Sequence, residues 1–244
     1  AEVGIKQGLK FGKLFGYFDV AGFWQEYDNT IEYMFGIWDA TSPTSFAGFK
    51  FLNTGKSRVL GVDISFSGKA KISKDVVLNF MTGYNYIVPK TLNPDYVYAI
   101  DSINRVFSYN STSLDSASQI LKYRFLHNIK ADFEFKIKDK LSIGVSAKYF
   151  SKIINMDGII KDFEETTINT GGTVQEIRYM DFYNSHRFGN WIFDARISYK
   201  LNDHHKIAVV SSNIFNRLYS LRPLKIEPPR TIMVQYSYVL DKNK

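Results

Sequence analysis

The chain has 244 residues, no cysteine, and 31 Lys plus Arg against 24 Asp plus Glu, a formal net charge of +7. The lack of cysteine excludes a disulfide framework, thiol catalysis and cysteine metal sites, and a 45% hydrophobic content excludes general disorder. No apolar run approaches the ~18–20 residues of a membrane-spanning helix, so a bilayer crossing would need strands closed into a barrel.

Period-two alternation runs through most of the chain and predicts strands. The first has Val3, Ile5, Leu9 and Phe11 on one parity and Glu2, Lys6 and Lys10 on the other, and ends at a Gly12-Lys13 turn. The second sets Phe18, Val20 and Trp24 against Asp19 and Gln25 and reads on to about Met34, before a polar stretch from Phe35 to Phe46. A third, over Lys50–Ser67, alternates Leu60, Val62, Ile64 and Phe66 with Gly61, Asp63 and Ser65. The fourth, over Val76–Ile87, is followed by a long polar insertion from Val88 to Ile120. The fifth, over Lys122–Lys136, sets Ile129, Ala131, Phe133 and Phe135 against Lys130, Asp132 and Glu134. A tight turn near Lys138-Asp139-Lys140 leads to the sixth, where Leu141 to Tyr149 alternate with Ser142, Gly144, Ser146 and Lys148. A second insertion spans Asn155–Gly189. The seventh carries Trp191, Phe193, Ala195, Ile197 and Tyr199 opposite Asp194, Arg196 and Ser198. The eighth, over Lys206–Asn213, has a weak pattern, and the ninth alternates over Thr231–Leu240.

Short turns near residues 12, 70, 138 and 203 alternate with long connections near 40, 100, 170 and 220. Up-and-down outer-membrane barrels have this asymmetry. All six prolines fall in the predicted long loops, as expected because proline removes a ladder donor.

Soluble sandwiches also alternate, but with strands of ~5–6 residues. Segments of roughly 10–20 residues reach across a bilayer at barrel tilt. Lysine or arginine facing lipid at mid-depth costs about 2–4 kcal/mol, whereas a lumen tolerates charge. Glu2, Lys6, Asp19, Asp63, Lys130, Asp132, Glu134, Lys148, Asp194 and Arg196 all avoid the apolar parity and are expected to face a lumen and a plug within it. Trp24, Tyr84, Tyr86, Tyr149, Trp191, Tyr199, Tyr236 and Tyr238 suit interfacial girdles. About nine strands is an odd count, and an open sheet would leave two edges unpaired in lipid. The expectation is therefore part of a larger barrel. The opening shows no signal peptide and reads as a mature chain or a piece of a longer one.

Four motifs stand in order along the chain: Asn53-Thr54-Gly55-Lys56 with Gly61-Val62-Asp63, Tyr123-Arg124-Phe125-Leu126-His127, Asn213-Ile214-Phe215-Asn216-Arg217-Leu218-Tyr219, and Glu227-Pro228-Pro229-Arg230-Thr231. Together with the E-x-G-x-K spacing of Glu2, Gly4 and Lys6, they make the sequence resemble TonB-dependent outer-membrane receptors, and its Tyr, Phe, Asn and Lys richness is similar to Bacteroidota versions. The resemblance implies an all-β, antiparallel, up-and-down transmembrane barrel of 22 strands, of which this chain supplies about nine C-terminal ones. Residues 1–240 would be the barrel segment and 241–244 a short polar tail. Leu240 stands where the family usually ends on an aromatic. The N-terminal plug would be absent from this chain.

The same resemblance implies TonB-dependent active transport of a scarce nutrient (siderophore, haem, cobalamin, glycan or peptide) across the outer membrane. Its partners would be TonB–ExbB–ExbD acting through the plug, the remainder of the barrel, outer-membrane lipid and lipopolysaccharide, with room for a surface lipoprotein. A non-transporting barrel subunit and a soluble all-β binding module are the rival readings. No enzyme motif is present. His127, His186, His204 and His205 lack metal-site spacing, so neither a metal nor another cofactor is expected. The basic residues form no dense block, so nucleic acid is not expected. In the family, loops contact substrate. The candidates are Trp38, Asp39, Tyr96, Tyr98, Arg105, Arg178, Tyr179, Asp181 and Tyr183, which could stack on and hydrogen-bond a ligand or simply pack the loops together.

Overall fold

The computed structural model describes residues 1–38, 47–101, 103–169 and 178–240; Asp39, the Thr170-Gly171-Gly172 bend and the tail 241–244 lie outside them. In chain order the elements are β1 (Glu2–Phe11), β2 (Leu14–Tyr27), β3 (Ile31–Ile37), β4 (Ala47–Asn53), β5 (Ser57–Lys71), β6 (Val76–Thr91), β7 (Ala99–Ile100), β8 (Val106–Phe107), α1 (Tyr109–Thr112), β9 (His127–Ile137), β10 (Leu141–Phe150), α2 (Ile159–Asn169), α3 (Tyr179–Ser185), β11 (Asn190–Lys200), β12 (His205–Ser212) and β13 (Thr231–Tyr238). Nine of these form one antiparallel sheet in the order β1-β2-β5-β6-β9-β10-β11-β12-β13, with β1 and β13 at its edges. Because each sheet strand pairs with the next, the tight turns collect at one end and the long connections at the other.

The register sorts the side chains onto two faces. One row, Phe11, Leu14, Ala70, Leu78, Phe135, Ile143, Ile197, Val209 and Val234, crosses all nine strands. A second row carries Ile5, Val20, Ile64, Tyr84, Ile129, Tyr149 and Trp191. The ten charged residues named above share the opposite face. Arg196 reaches across β10 and donates from Nη1 and Nη2 to the two carboxylate oxygens of Asp132, at 2.7 and 2.8 Å, and to Glu134 at 3.3 Å. Gly144 lies between Glu134 and Arg196 in register; a Cβ there would sit 2.5 Å from the guanidinium carbon, so the missing side chain makes room for the ion pair. Lys148 binds Asp194 at 2.8 Å, and Asn85 donates to Asp63.

Several boundaries differ from the sequence reading. β2 stops at Tyr27, and β3 and β4 form a separate hairpin where one continuous strand was expected on each side. The break before β5 is built by Gly55, at φ +86°, whose N–H donates to the Asn53 side chain at 3.0 Å. β9 starts at His127, five residues later than expected, because Tyr123 takes a left-handed conformation at φ 61°. Pro89 lies in β6, not in a loop. The N–H groups of Ile87 and Thr91, on its side of the strand, bond Leu126 and Gln119, beyond the last β6–β9 pair at Tyr86 and His127. Pairing resumes at the Lys90–Ile120 bridge, where the Pro89 carbonyl accepts from Leu121, so the donor that proline lacks falls in the gap between the two paired stretches. The second insertion holds α2 and α3, which strand periodicity could not reveal.

Close strand approach is also sequence-encoded. Gly16 and Gly68 face each other, and a Cβ on Gly68 would lie 2.5 Å from the Phe15 carbonyl oxygen and 2.9 Å from the Phe80 ring. Gly68→Ala is expected to cost about 1–3 kcal/mol by overpacking, read as a lower urea midpoint of the heat-modifiable folded band on gels.

Candidate functional site

The long connections turn back over the charged face. Ile192 and Asn190 project from that face, yet are only 3% and 7% exposed, so something covers them. The segment after β12 begins the cover: the Asn213 N–H donates to Asp194 at 2.9 Å, and Tyr219 lies close to Lys148 and Asp194. α3 and Ser220 close over Asn190.

This loop layer has its own core, where Met156, Ile160 and Tyr179 are buried. At its centre Lys122 and Asp157, each with a side chain 1% exposed, pair at 2.5 Å. Lys122 also donates to Thr112 Oγ1 at 2.5 Å, and Thr112 contacts the Tyr98 hydroxyl at 2.6 Å. The other oxygen of Asp157 accepts from the Phe35 N–H at 2.7 Å and from the Tyr123 hydroxyl. Asn155 Nδ2 donates to the Tyr109 hydroxyl and the Ile120 carbonyl. Arg124 donates to Glu32 at 2.7 Å, joining the β3–β4 hairpin to this centre. Three of the long connections are thus tied through buried polar groups that partner one another, as burial requires.

The sequence-named loop residues are scattered through this layer. The Trp38 indole donates to the Gly48 carbonyl at 2.8 Å, and its ring lies 5.5 Å from Phe107. Arg105 pairs with Asp101 at 2.5 Å beneath the same Phe107. The Tyr96 ring shields Gly55. Tyr98 joins the Lys122 network, and burial pushes its phenol up. Tyr179 is in the core, and Tyr183 donates to the Ile153 carbonyl at 2.7 Å under Lys152. Burial lifts both phenols to about 12, so both remain donors at neutral pH. Arg178 and Asp181 pair loosely at 3.8 Å on the exposed side of α3. Trp38 and Arg105 meet through Phe107, and Tyr179 and Tyr183 meet in the core; among the described residues the set is spread over separate places in the layer. Tyr33, Phe49, Tyr123, Arg124, Arg222 and Lys225, none of them singled out as a ligand contact, instead line a cavity of about 400 Å³.

Residues 1–216 match the family model described as TonB dependent receptor-like, beta-barrel. The chain belongs to that family. Its TonB-dependent receptors are transporters and receptors, not enzymes. Among solved structures the chain is similar to the ferric-catecholate import receptor Fiu from E. coli K12, at 16% identity and a TM-score of 0.55, covering 97% of this chain and 27% of that one. It is also similar to the pyoverdine outer membrane receptor FpvA from Pseudomonas aeruginosa, at 16% identity and 0.54, covering 98% and 29%, and to the copper transporter OprC, at 11% and 0.52, covering 97% and 30%. The likeness is one of fold, and the chain spans under a third of the length of these structures. No curated protein matches it in sequence.

The TonB-dependent receptor motifs prove to be structural devices. Asn213, at φ 51°, closes a turn by accepting from the Arg217 N–H at 2.8 Å and donating to the Arg217 carbonyl at 2.9 Å. Asn216 then accepts from the Arg230 N–H at 2.9 Å. The third and fourth motifs are therefore one clamp at the start of β13. In the second motif, His127 stacks 4.7 Å from Tyr86 and contacts the Tyr84 hydroxyl at 2.8 Å.

Glu32 gives the layer a pH dependence. Burial raises its carboxyl above the ordinary value, opposed by Arg124 and Lys122 and reinforced by Asp157. A raised native value means that the folded state holds the proton more tightly. That stabilisation is complete below the unfolded value and is lost as pH rises through the native one. Glu32→Gln is expected to flatten the decline in loop-layer protection between pH 4 and 7, measured by hydrogen exchange at the Phe35 amide. An unchanged decline would assign it to another group.

Proposed function

We propose that this chain forms the C-terminal wall and outer loops of a 22-stranded, plugged outer-membrane transporter that takes up a scarce nutrient with energy from TonB–ExbB–ExbD. The observation that carries the reading is the division of the sheet. One face is apolar, with Ile197 and Tyr199 exposed on it, while the opposite face is ion-paired and roofed by the long connections. A wall between hydrocarbon and a wet lumen needs that division, because backbone and charge must be satisfied away from lipid. The apolar rows would contact lipid and lipopolysaccharide. Residues 1–240 make up the barrel segment, and further strands pair with β1 and β13. The charges from Glu2 to Arg196 line the lumen and hold the plug through ion pairs and hydrogen bonds. The loops capture ligand at the mouth, and TonB opens a path by pulling on the plug. The Tyr, Phe, Asn and Lys richness supports a Bacteroidota source.

Deletion of the gene, and separately of the host TonB, tests this by uptake. Both strains should lose energised accumulation of the same nutrient when a panel of siderophores, haem, cobalamin, glycans and peptides is offered at limiting concentration. Normal uptake of every compound in the gene deletion, with the protein recovered in a stable outer-membrane complex, would replace transport by a scaffolding role.

A further inference from the structure

We propose that the cavity between the β3–β4 hairpin, the Tyr123-Arg124 segment and the 222–225 loop binds a small molecule carrying both a flat aromatic ring and at least two negative charges. The proposal rests on the transport reading and names the chemistry of the ligand. The hairpin is inserted between β2 and β5, at one side of the sheet, and the 222–225 loop joins β12 to β13 at the other. From β5 to β12 there are five strand steps, about 24 Å at ~4.8 Å each. The two loops share one cavity only because both lean inward over the charged face, which sets the cavity above the lumen. Its volume of about 400 Å³ falls within the small-molecule range.

The lining combines two chemistries. Tyr33 and Phe49 are stacked at 4.4 Å with planes 9° apart, and Tyr123 stands edge-on to Phe49 at 6.1 Å. These rings make a wall against which another ring can pack offset or edge-to-face. Arg124, Arg222 and Lys225 supply three cations, and among the described residues no carboxylate lines the cavity. Glu32 and Glu227 pair with Arg124 and Lys225 from behind the lining, at 2.7 and 3.5 Å, so two of the cations are held in position. Arg222 has no ion pair among the described residues and is the cation most open to a new anion. Burial and Asp157 push the Tyr123 phenol up, and its hydroxyl is spent on Asp157, so that ring offers its face and edge but no free proton. A cationic ligand is excluded by charge. A neutral apolar ligand would strip water from Arg222 without replacement. A sugar needs acceptors as well as donors, and the three charged groups only donate. An aromatic polyanion satisfies both halves, with the guanidiniums binding oxyanions in their planar fork.

Binding is measured on the full-length protein in detergent at low salt, with naphthalene-1,5-disulfonate as the fluorescent probe. Naphthalene-1,5-diol serves as the neutral ring and cyclohexane-1,4-dicarboxylate as the dianion without one. The disulfonate should bind at least tenfold more tightly than either comparator. The double variant Arg222→Gln/Lys225→Gln, in an exposed loop outside the buried network, should weaken it at least tenfold while leaving the melting transition in place. Tyr33→Ala should weaken the disulfonate and leave the dicarboxylate unchanged. Equal binding of the disulfonate and the diol, no binding of the disulfonate, or undiminished binding by the double variant would overturn the proposal. Since no energised uptake enters the measurement, such a result would leave TonB-dependent transport of another ligand class standing.

Discussion

Asp157→Asn is expected to destabilise the loop layer by about 3–5 kcal/mol, the usual cost of leaving one member of a buried ion pair alone. Lys122 and Asp157 are both 1% exposed and 2.5 Å apart. The carboxylate accepts from three directions, the Lys122 ammonium, the Phe35 N–H and the Tyr123 hydroxyl. An asparagine can offer only one acceptor oxygen and must turn its amide donors toward groups that are themselves donors. Whenever the amide nitrogen faces it, the ammonium sits in a dry site with only Thr112, among the described residues, to accept from it. Because those partners come from the hairpin, α1 and the 122–123 segment, the loss should spread across the layer. Hydrogen exchange should show the Phe35 amide and the Leu114 amide, which bonds the Met156 carbonyl, opening together while amides in β9 and β10 keep their protection. The double replacement Lys122→Met/Asp157→Leu should recover most of the stability, since apolar groups of similar volume need no partner. Unchanged protection at Phe35 in the single variant would mean that the pair does not hold the layer.

The sheet and the loop layer differ in how far the sequence announces them. In β5, β9, β10 and β11 a single parity repeats for ten residues or more, because one face is uniformly apolar and side chains alternate strictly. The charges from Lys130 to Arg196 are legible for the same reason. The β3–β4 hairpin is not, because Tyr33, Phe35, Phe49 and Phe51 are aromatic on one parity, and the pattern merges with that of the neighbouring strands until Gly55 breaks it. The Lys122–Asp157 pair spans 35 residues, and in the sequence Lys122 reads as the first residue of a strand and Asp157 as an ordinary loop charge. Tyr98 and Tyr183 have the aromatic-plus-hydroxyl character of ligand contacts, yet their hydroxyls meet Thr112 and the Ile153 carbonyl. Tyr123-Arg124 was visible as a family motif. Its chemical meaning depends on Asp157 and Glu32, which only the fold brings beside it. Arg222 and Lys225 flank Pro223, and nothing local marks them as facing a hairpin from the other side of the sheet.

Val145→Lys is expected to cost about 2–4 kcal/mol and to reduce assembled protein several-fold, whereas Ser146→Lys, one residue along β10, should change stability by less than about 1 kcal/mol. On the proposed wall reading, the aromatic girdles set the depth of the site. On β11, Trp191 and Tyr199 occupy the two ends of the apolar face, and Ala195 midway between them pairs with Val145. Val145 is 43% exposed, flanked in register by Phe133 on the other side. A lysine there has no carboxylate within its own row, and at mid-depth its stem has far to reach before the ammonium meets water. Ser146 points the other way, between Asp132 and Asp194 in register. A lysine at that position loses the 2.6 Å hydrogen bond from Ser146 Oγ to Asp132, but its ammonium stays on the charged face, beside the carboxylates that Arg196 and Lys148 already pair. Urea titrations of the full-length protein in phospholipid vesicles, with heat-modifiable gel mobility as the readout, separate the two. If the two variants unfold at the same urea concentration, the apolar rows do not meet hydrocarbon, and the sheet would need another protein surface to cover them.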